Sequence, residues 1–147
     1  MNEFYRIPID FDRLLQGQLL DRCNIRASID QHIRLMILTS YREHAADRRF
    51  GWITSDFDFE ILRDLDDYKK VLASSLKETI EAREKRLSKV EVTVSMGEEV
   101  NASGTLHMAA VKQSVIVDVN GTIARTEEPY YFQTVILISP TVLGSNT

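Results

Sequence analysis

Apolar positions along this chain change period twice, and the changes divide it into segments. Between Asn2 and Arg26, Phe4, Ile7, Ile9, Phe11, Leu14 and Leu15 follow no single period, which suits an irregular arm with a short helix around Asp12 to Leu20. Ser28, followed three residues later by Gln31, forms a capping-box pattern, and Ile29, Ile33, Met36 and Ile37 then recur at helical spacing. This predicts a helix from about Ile29 to Thr39. A polar, charged connection from Tyr41 to Trp52 comes next. In the run "ITSDFDFEI", Ile53, Phe57, Phe59 and Ile61 then alternate loosely with polar residues, as a loop or short strand would.

Helical spacing returns from about Asp64 to Lys89, where Leu65, Tyr68, Leu72, Leu76, Ile80 and Leu87 mark one stripe. Asp64, Asp66 and Asp67 crowd the start of this predicted helix and Arg83, Lys85, Arg86 and Lys89 its end, as the helix macrodipole favours. Glu84 does not fit that account, because an acid near a helix C-terminus is disfavoured. It needs a specific partner, within the chain or beyond it.

From Val90 the period becomes two. Val90, Val92 and Val94 alternate with polar residues as in a strand with one buried face, and "SMGEEVNASG" is expected to break it. Leu106, Met108 and Ala110 are even-numbered while Val115, Val117 and Val119 are odd, so a bulge or turn near Lys112 to Ser114 is expected to reset the register. "VNGT" reads as a turn or a bulge. "YYFQTVILIS" is apolar on both faces, which suggests a central or doubly covered strand. Helices followed by strands define an α+β fold, with two or three helices packed on a small antiparallel β-sheet. The expected division is an arm over residues 1–24, a domain over 25–139 and a fraying tail over 140–147.

Composition narrows the function classes. The chain has 147 residues and a formal net charge of -4, so it lacks the dominant basic face that binding to nucleic acid or an anionic membrane requires. Cys23 is the single cysteine, which points to a reducing compartment. The first residues lack a signal-peptide pattern, and "VILI" is too short to span a bilayer, so a cytoplasmic protein is expected. His32, His44, His107 and Cys23 show no metal-ligand spacing. Asp56, Asp58 and Glu60 share one edge of an extended segment, where a solvated edge explains them better than a glycosidase pair. Phosphate-loop, nucleophile-elbow and Cys-x-x-Cys patterns are absent from the sequence. No catalytic residue, cofactor, metal or small-molecule substrate is expected.

Two stretches carry a resemblance. "IDQHIRLMILTSYREHAADRRFG" holds an Ile-rich helix, Thr39, Glu43 and, eight positions further, Gly51 preceded by Phe50; "EAREKRLSKVEVTV" places Glu84, Lys85, Arg86 and Leu87 before a valine-rich strand. Together they resemble the GPW-type baseplate wedge family, which includes the "lysozyme-like" wedge protein of contractile phage tails and the TssE subunit of type VI secretion baseplates. In that family the first stretch reads helix, Thr, Gly-Glu-Arg, Pro-x-x-Gly, and the second is a Glu-Pro-Arg motif at the end of the long helix. This chain departs from the pattern with Arg42 for the glycine, His44 for the arginine, and Arg48 and Lys85 for the prolines. The resemblance spans roughly Ile25 to Ser139.

What the resemblance implies is a structural part that joins other wedge subunits and offers the sheath its first docking surface, without enzymatic activity. Glu84, Lys85 and Arg86, with Glu43, Arg48 and Arg49, are the expected partner-binding residues. Thr39, Phe50, Gly51 and Trp52 are expected to hold the connection in shape. The assembly would sit in the cytoplasm, docked at the inner membrane without inserting into it. A cell-wall muramidase and a standalone cytosolic adaptor are the alternatives.

Overall fold

The computed structural model describes residues 3–39, 65–100 and 111–138. Among these, the elements run β1 (Phe4–Tyr5), α1 (Phe11–Leu15), β2 (Arg22–Cys23), α2 (Ile25–Leu38), α3 (Leu65–Arg83), β3 (Leu87–Val100), β4 (Val111–Ile123) and β5 (Pro129–Ile138). β1 pairs antiparallel with β2, and β3, β4 and β5 form a separate antiparallel sheet in that order. The fold is α+β, with α2 and α3 over one face of the larger sheet, as the change of period from helical to two implies.

α2 begins four residues earlier than the capping-box pattern suggests. Asn24 is the N-cap, its side chain accepting from the Ala27 N–H at 2.9 Å, so Ser28 lies inside the helix with its hydroxyl available for another task. α1 is shorter than expected and lies further toward the N-terminus. Asp10 caps its start, and a Schellman motif closes its end, with Gly17 at φ 70°, the Gly17 N–H on the Leu14 carbonyl and the Gln18 N–H on the Arg13 carbonyl. β1 and β2 are short strands that the irregular pattern of the arm did not disclose.

The core is built from three rows. Ile29, Ile33, Met36 and Ile37 line the inner side of α2, and Tyr68, Leu72, Leu76 and Ile80 recur every four residues along α3. Val94, Val115, Val117, Val119 and Phe132 come up from the sheet. Burying each such aliphatic side chain contributes roughly 1.5–3 kcal/mol, so this layer supplies the main driving force for folding.

α3 ends at Arg83, not Lys89. Leu87, which extended the helical stripe by a step of seven, is instead the first residue of β3, still buried in the core. The Glu84 N–H closes the last helical turn on the Ile80 carbonyl (2.7 Å), and the Lys85 ammonium satisfies the Glu81 carbonyl (3.0 Å).

The sheet also corrects three expectations. β3 continues through "SMGEEV", where Ser114 Oγ donates to the Gly97 carbonyl at 3.1 Å. Pairing of β3 with β4 is continuous across Lys112 to Ser114, so no register reset occurs there; Leu106, Met108 and Ala110 lie outside the described residues. The register shifts instead between Ser88 and Glu91, where Lys89 and Val90 oppose the single Gly121. This is a bulge with Lys89 at φ 51°, and a Cβ on Gly121 would stand 3.2 Å from the Ser88 carbonyl oxygen. "VNGT" is therefore strand facing a bulge, and the β4–β5 turn falls at Ala124–Glu128, closed by the Ile123 N–H on the Glu128 carbonyl. Lastly, among the described residues β5 is an edge strand, with Tyr131 and Val135 about half exposed on its outer face, rather than a central or doubly covered one.

Candidate functional site

Glu84 sits one residue beyond α3 and is 1 % exposed. Negative charge there faces the unsatisfied carbonyls of the helix end and a low-dielectric interior, so it requires strong compensation. Arg86 supplies most of it. Glu84 Oε1 accepts from the Arg86 backbone N–H (3.1 Å) and Nε (2.8 Å), and Oε2 accepts from Nη2 (2.5 Å). His32 Nδ1 lies 2.8 Å from the same Oε2. Burial by itself would push the Glu84 carboxyl up, but the bonds from Arg86 and His32 outweigh it and hold the carboxyl at about 2. The bond to Glu84 likewise raises Arg86.

The guanidinium then reaches two further elements. Arg86 Nη1 donates to Ser28 Oγ on α2 (2.8 Å), and the Phe4 ring of β1 lies over its charged carbon at 5.3 Å. The Arg86 carbonyl accepts from the Ala124 N–H at 2.8 Å. The turn from α3 into β3 is thus pinned to α2, the arm and the β4–β5 turn through one ion pair. Direct contact between Glu84 and a partner, expected above, does not fit this geometry, because both carboxylate oxygens are engaged inside the chain. A partner at this corner would meet Arg86, whose side chain keeps 30 % exposure, and the exposed Lys85.

A second polar link ties α2 to the start of β5. Tyr130, 2 % exposed, donates its hydroxyl to Asp30 Oδ1 at 2.6 Å, and burial, reinforced by Asp30, pushes its phenol up. Arg26 lies over the Tyr130 ring at 5.8 Å and donates to the Pro129 carbonyl at 3.0 Å. Beyond that point the outer edge of β5 has no strand beside it among the described residues. Asp118 of β4 accepts from both Tyr131 Oη and Gln133 Nε2 at 2.8 Å, which fixes two β5 side chains on the outward face of the sheet.

Thr39 is the C-cap of α2, its N–H on the Leu35 carbonyl at 3.0 Å. Glu43, Arg48, Arg49, Phe50, Gly51 and Trp52 lie outside the described residues, as do His44, Asp56, Asp58, Glu60 and His107. Sequence reasoning missed Ser28 and His32 as members of the Glu84 cluster, and Asp30 as the acceptor of Tyr130. The available signal was the spacing of Ser28 and His32, four residues apart on one side of a helix whose other side is apolar. Among the described residues, no group of three or more His, Cys, Asp or Glu side chains is placed to hold a metal ion, and no helix is long and apolar enough to cross a membrane.

No protein-family model matches the chain, and no curated protein matches it. The fold itself is shared. A crystal structure of a candidate tail lysozyme from Geobacter sulfurreducens superposes with a TM-score of 0.53, covering 82 % of this chain and 96 % of that one at 17 % identity. At that identity the likeness is one of fold: an α+β arrangement of helices on a small antiparallel sheet.

Proposed function

We propose that this chain is a structural component of a phage-tail-like contractile machine, a baseplate wedge subunit of the TssE kind that joins other wedge subunits and receives the first ring of sheath. The observation that carries the reading is the outer edge of β5. It is unpaired among the described residues, and the strand from Pro129 to Ile138 has no charged residue, so its backbone N–H and C=O groups are open to a strand from another chain. Sheath subunits of the resembling machines join by strand exchange, and an edge of this kind would let the first ring attach as later rings do. The fold shared with the candidate tail lysozyme supports the same class.

Glu84 and Arg86 stand at the helix-to-strand junction where the resembling family has Glu-Pro-Arg. In this reading Glu84 positions the guanidinium and Arg86 presents it to a wedge partner, with Lys85 beside it. Glu43, Arg48 and Arg49 complete the partner surface, and the assembly works in the cytoplasm at the inner membrane. Catalysis is no part of the proposal. A glycosidase acid needs a carboxyl raised toward neutrality, and Glu84, the one buried carboxylate among the described residues, is held at about 2.

The test is affinity purification of the tagged full-length protein from its own host, with partners identified by mass spectrometry. Sheath and baseplate proteins are expected with wild type and are depleted by Arg86→Ala. Recovery of unrelated cytosolic partners instead would establish the adaptor alternative. Dye release from purified peptidoglycan would establish the muramidase.

A further inference from the structure

We propose that residues 3–22 form a displaceable strap that closes over the Arg86 guanidinium, so that a partner gains full access to this corner only when the arm lifts. The proposal rests on the reading that Arg86 is a partner contact and adds a mechanism that regulates it.

Three observations carry it. First, the arm lays the Phe4 ring over the Arg86 guanidinium, 5.3 Å from the charged carbon. Second, the arm is fastened by a few polar contacts at the surface. Glu3 bonds Arg125 with both oxygens (2.7 and 3.2 Å), the Ile7 N–H donates to Gln31 Oε1 (2.9 Å), buried Cys23 donates weakly to the Tyr5 carbonyl (3.7 Å), and the two-residue strand β1 pairs with β2 through Phe4 opposite Cys23. An exposed ion pair of the Glu3–Arg125 kind is screened by salt and adds little to stability. None of residues 3–22 belongs to the hydrophobic core, and α1 buries no residue. A cavity of about 450 Å³ remains between the Ile7–Pro8 corner and α2, lined by Gln31, Arg34, Leu35 and Leu38.

Third, the arm carries apolar side chains that its docked position does not cover. Tyr5, Ile7, Phe11, Leu14, Leu15 and Leu19 are all 49–87 % exposed. Such a concentration on one short segment marks a surface made to be buried elsewhere. A segment with few buried contacts and surface-exposed fastenings opens at a small fraction of the global unfolding free energy. The competing ligand is a protein surface with an apolar patch, which takes the arm, beside an acceptor for the guanidinium.

The experiment uses the full-length protein and the arginine reagent p-hydroxyphenylglyoxal, with modification of Arg86 and Arg83 followed by peptide mass spectrometry. Phe4→Ala removes the cover, and Glu3→Arg releases the arm by repulsion from Arg125 without touching Phe4. Each is expected to raise the Arg86 labelling rate by about threefold or more while Arg83 is unchanged, with the thermal midpoint preserved because Glu3 and Phe4 lie outside the core. Equal labelling in wild type and both variants overturns the strap. Recovery of host partners should rise in the same variants. If labelling rises in Glu3→Arg, which keeps every apolar side chain of the arm, but recovery does not, lifting the arm does not admit the partner, and the gate is overturned. If Arg86→Ala leaves recovery untouched while labelling behaves as expected, the partner assignment of Arg86 fails and the strap's closure over it does not.

Discussion

Among the described residues β3 and β5 are the two outer strands of one sheet, and they are finished in opposite ways. The β3 side has α3 packed over it and is tied to it by Lys77, whose ammonium meets Glu91 at 3.3 Å. Its strand carries Lys89, Glu91, Glu98 and Glu99, and a bulge at Lys89–Val90 twists its beginning. Charge and bulge are both devices that discourage pairing with another chain. The β5 side has neither. Its first residues are held by Arg26 and Asp30, and the rest presents Tyr131, Gln133 and Val135 outward along an edge without charge. A chain that needed only to stay soluble would protect both edges. Protection of one alone is what the proposed docking of a partner strand on β5 would require.

The largest effect that would break this contrast is loss of the anchor of the β3 side. Glu84→Ala leaves Arg86 and His32 without the carboxylate they share, and should cost about 3–4 kcal/mol in chemical denaturation. The pH dependence carries the same signature. Glu84 is near 2 in the folded protein against an ordinary 4.5, so the unfolded chain takes up its proton first as pH falls. The stabilisation is therefore fully present above pH 4.5 and is lost as pH falls through that value toward 2, about 3 kcal/mol in all. Unfolding free energies measured from pH 6 to 2.5 should show this slope in wild type and lose it in Glu84→Ala.

A charge on the open edge should separate binding from stability. Val135→Lys is expected to change unfolding by less than about 0.5 kcal/mol, yet to weaken partner recovery by about tenfold, equivalent to roughly 1.4 kcal/mol. Glu91→Lys, on the protected edge, should leave recovery unchanged. Gly121→Ala presses a methyl toward the Ser88 carbonyl opposite the bulge and should destabilise by about 1 kcal/mol. The smallest change is a gain. Lys89→Gly relieves the left-handed conformation at φ 51° and should stabilise the fold by roughly 0.5–1 kcal/mol, read as a shift in midpoint at unchanged denaturant slope.

What was legible in the sequence followed from local periodicity. Leu72, Leu76 and Ile80 declared α3, and Val115, Val117 and Val119 declared the inner face of β4, because a repeated contact with one core leaves a repeated pattern. The errors arose where distant partners decided. Leu87 continues the helical stripe by arithmetic, yet the chain turns at Glu84, whose carboxylate is shared by Arg86 and by His32, 52 residues away. Ser28 and Gln31 look like a helix start, but Asn24 caps the helix first and leaves Ser28 for Arg86. The aliphatic residues on both faces of β5 suggest a central or doubly covered strand, and among the described residues it is instead the outermost strand of its sheet. Of the candidate site, the need of Glu84 for a partner was readable from the macrodipole alone. Arg86, two residues on, is the main one, but the shares taken by His32 and Ser28 on α2 were not readable, since no local pattern links them to Glu84 and Arg86.

The most direct test of the open edge is a photo-crosslinking residue at position 135, expressed in the native host and compared with the same residue at position 91. Crosslinks from position 135 to sheath protein, absent from position 91, are the predicted result. Equal crosslinking from both positions, or none to sheath from position 135, would contradict the assignment of β5 as the docking edge.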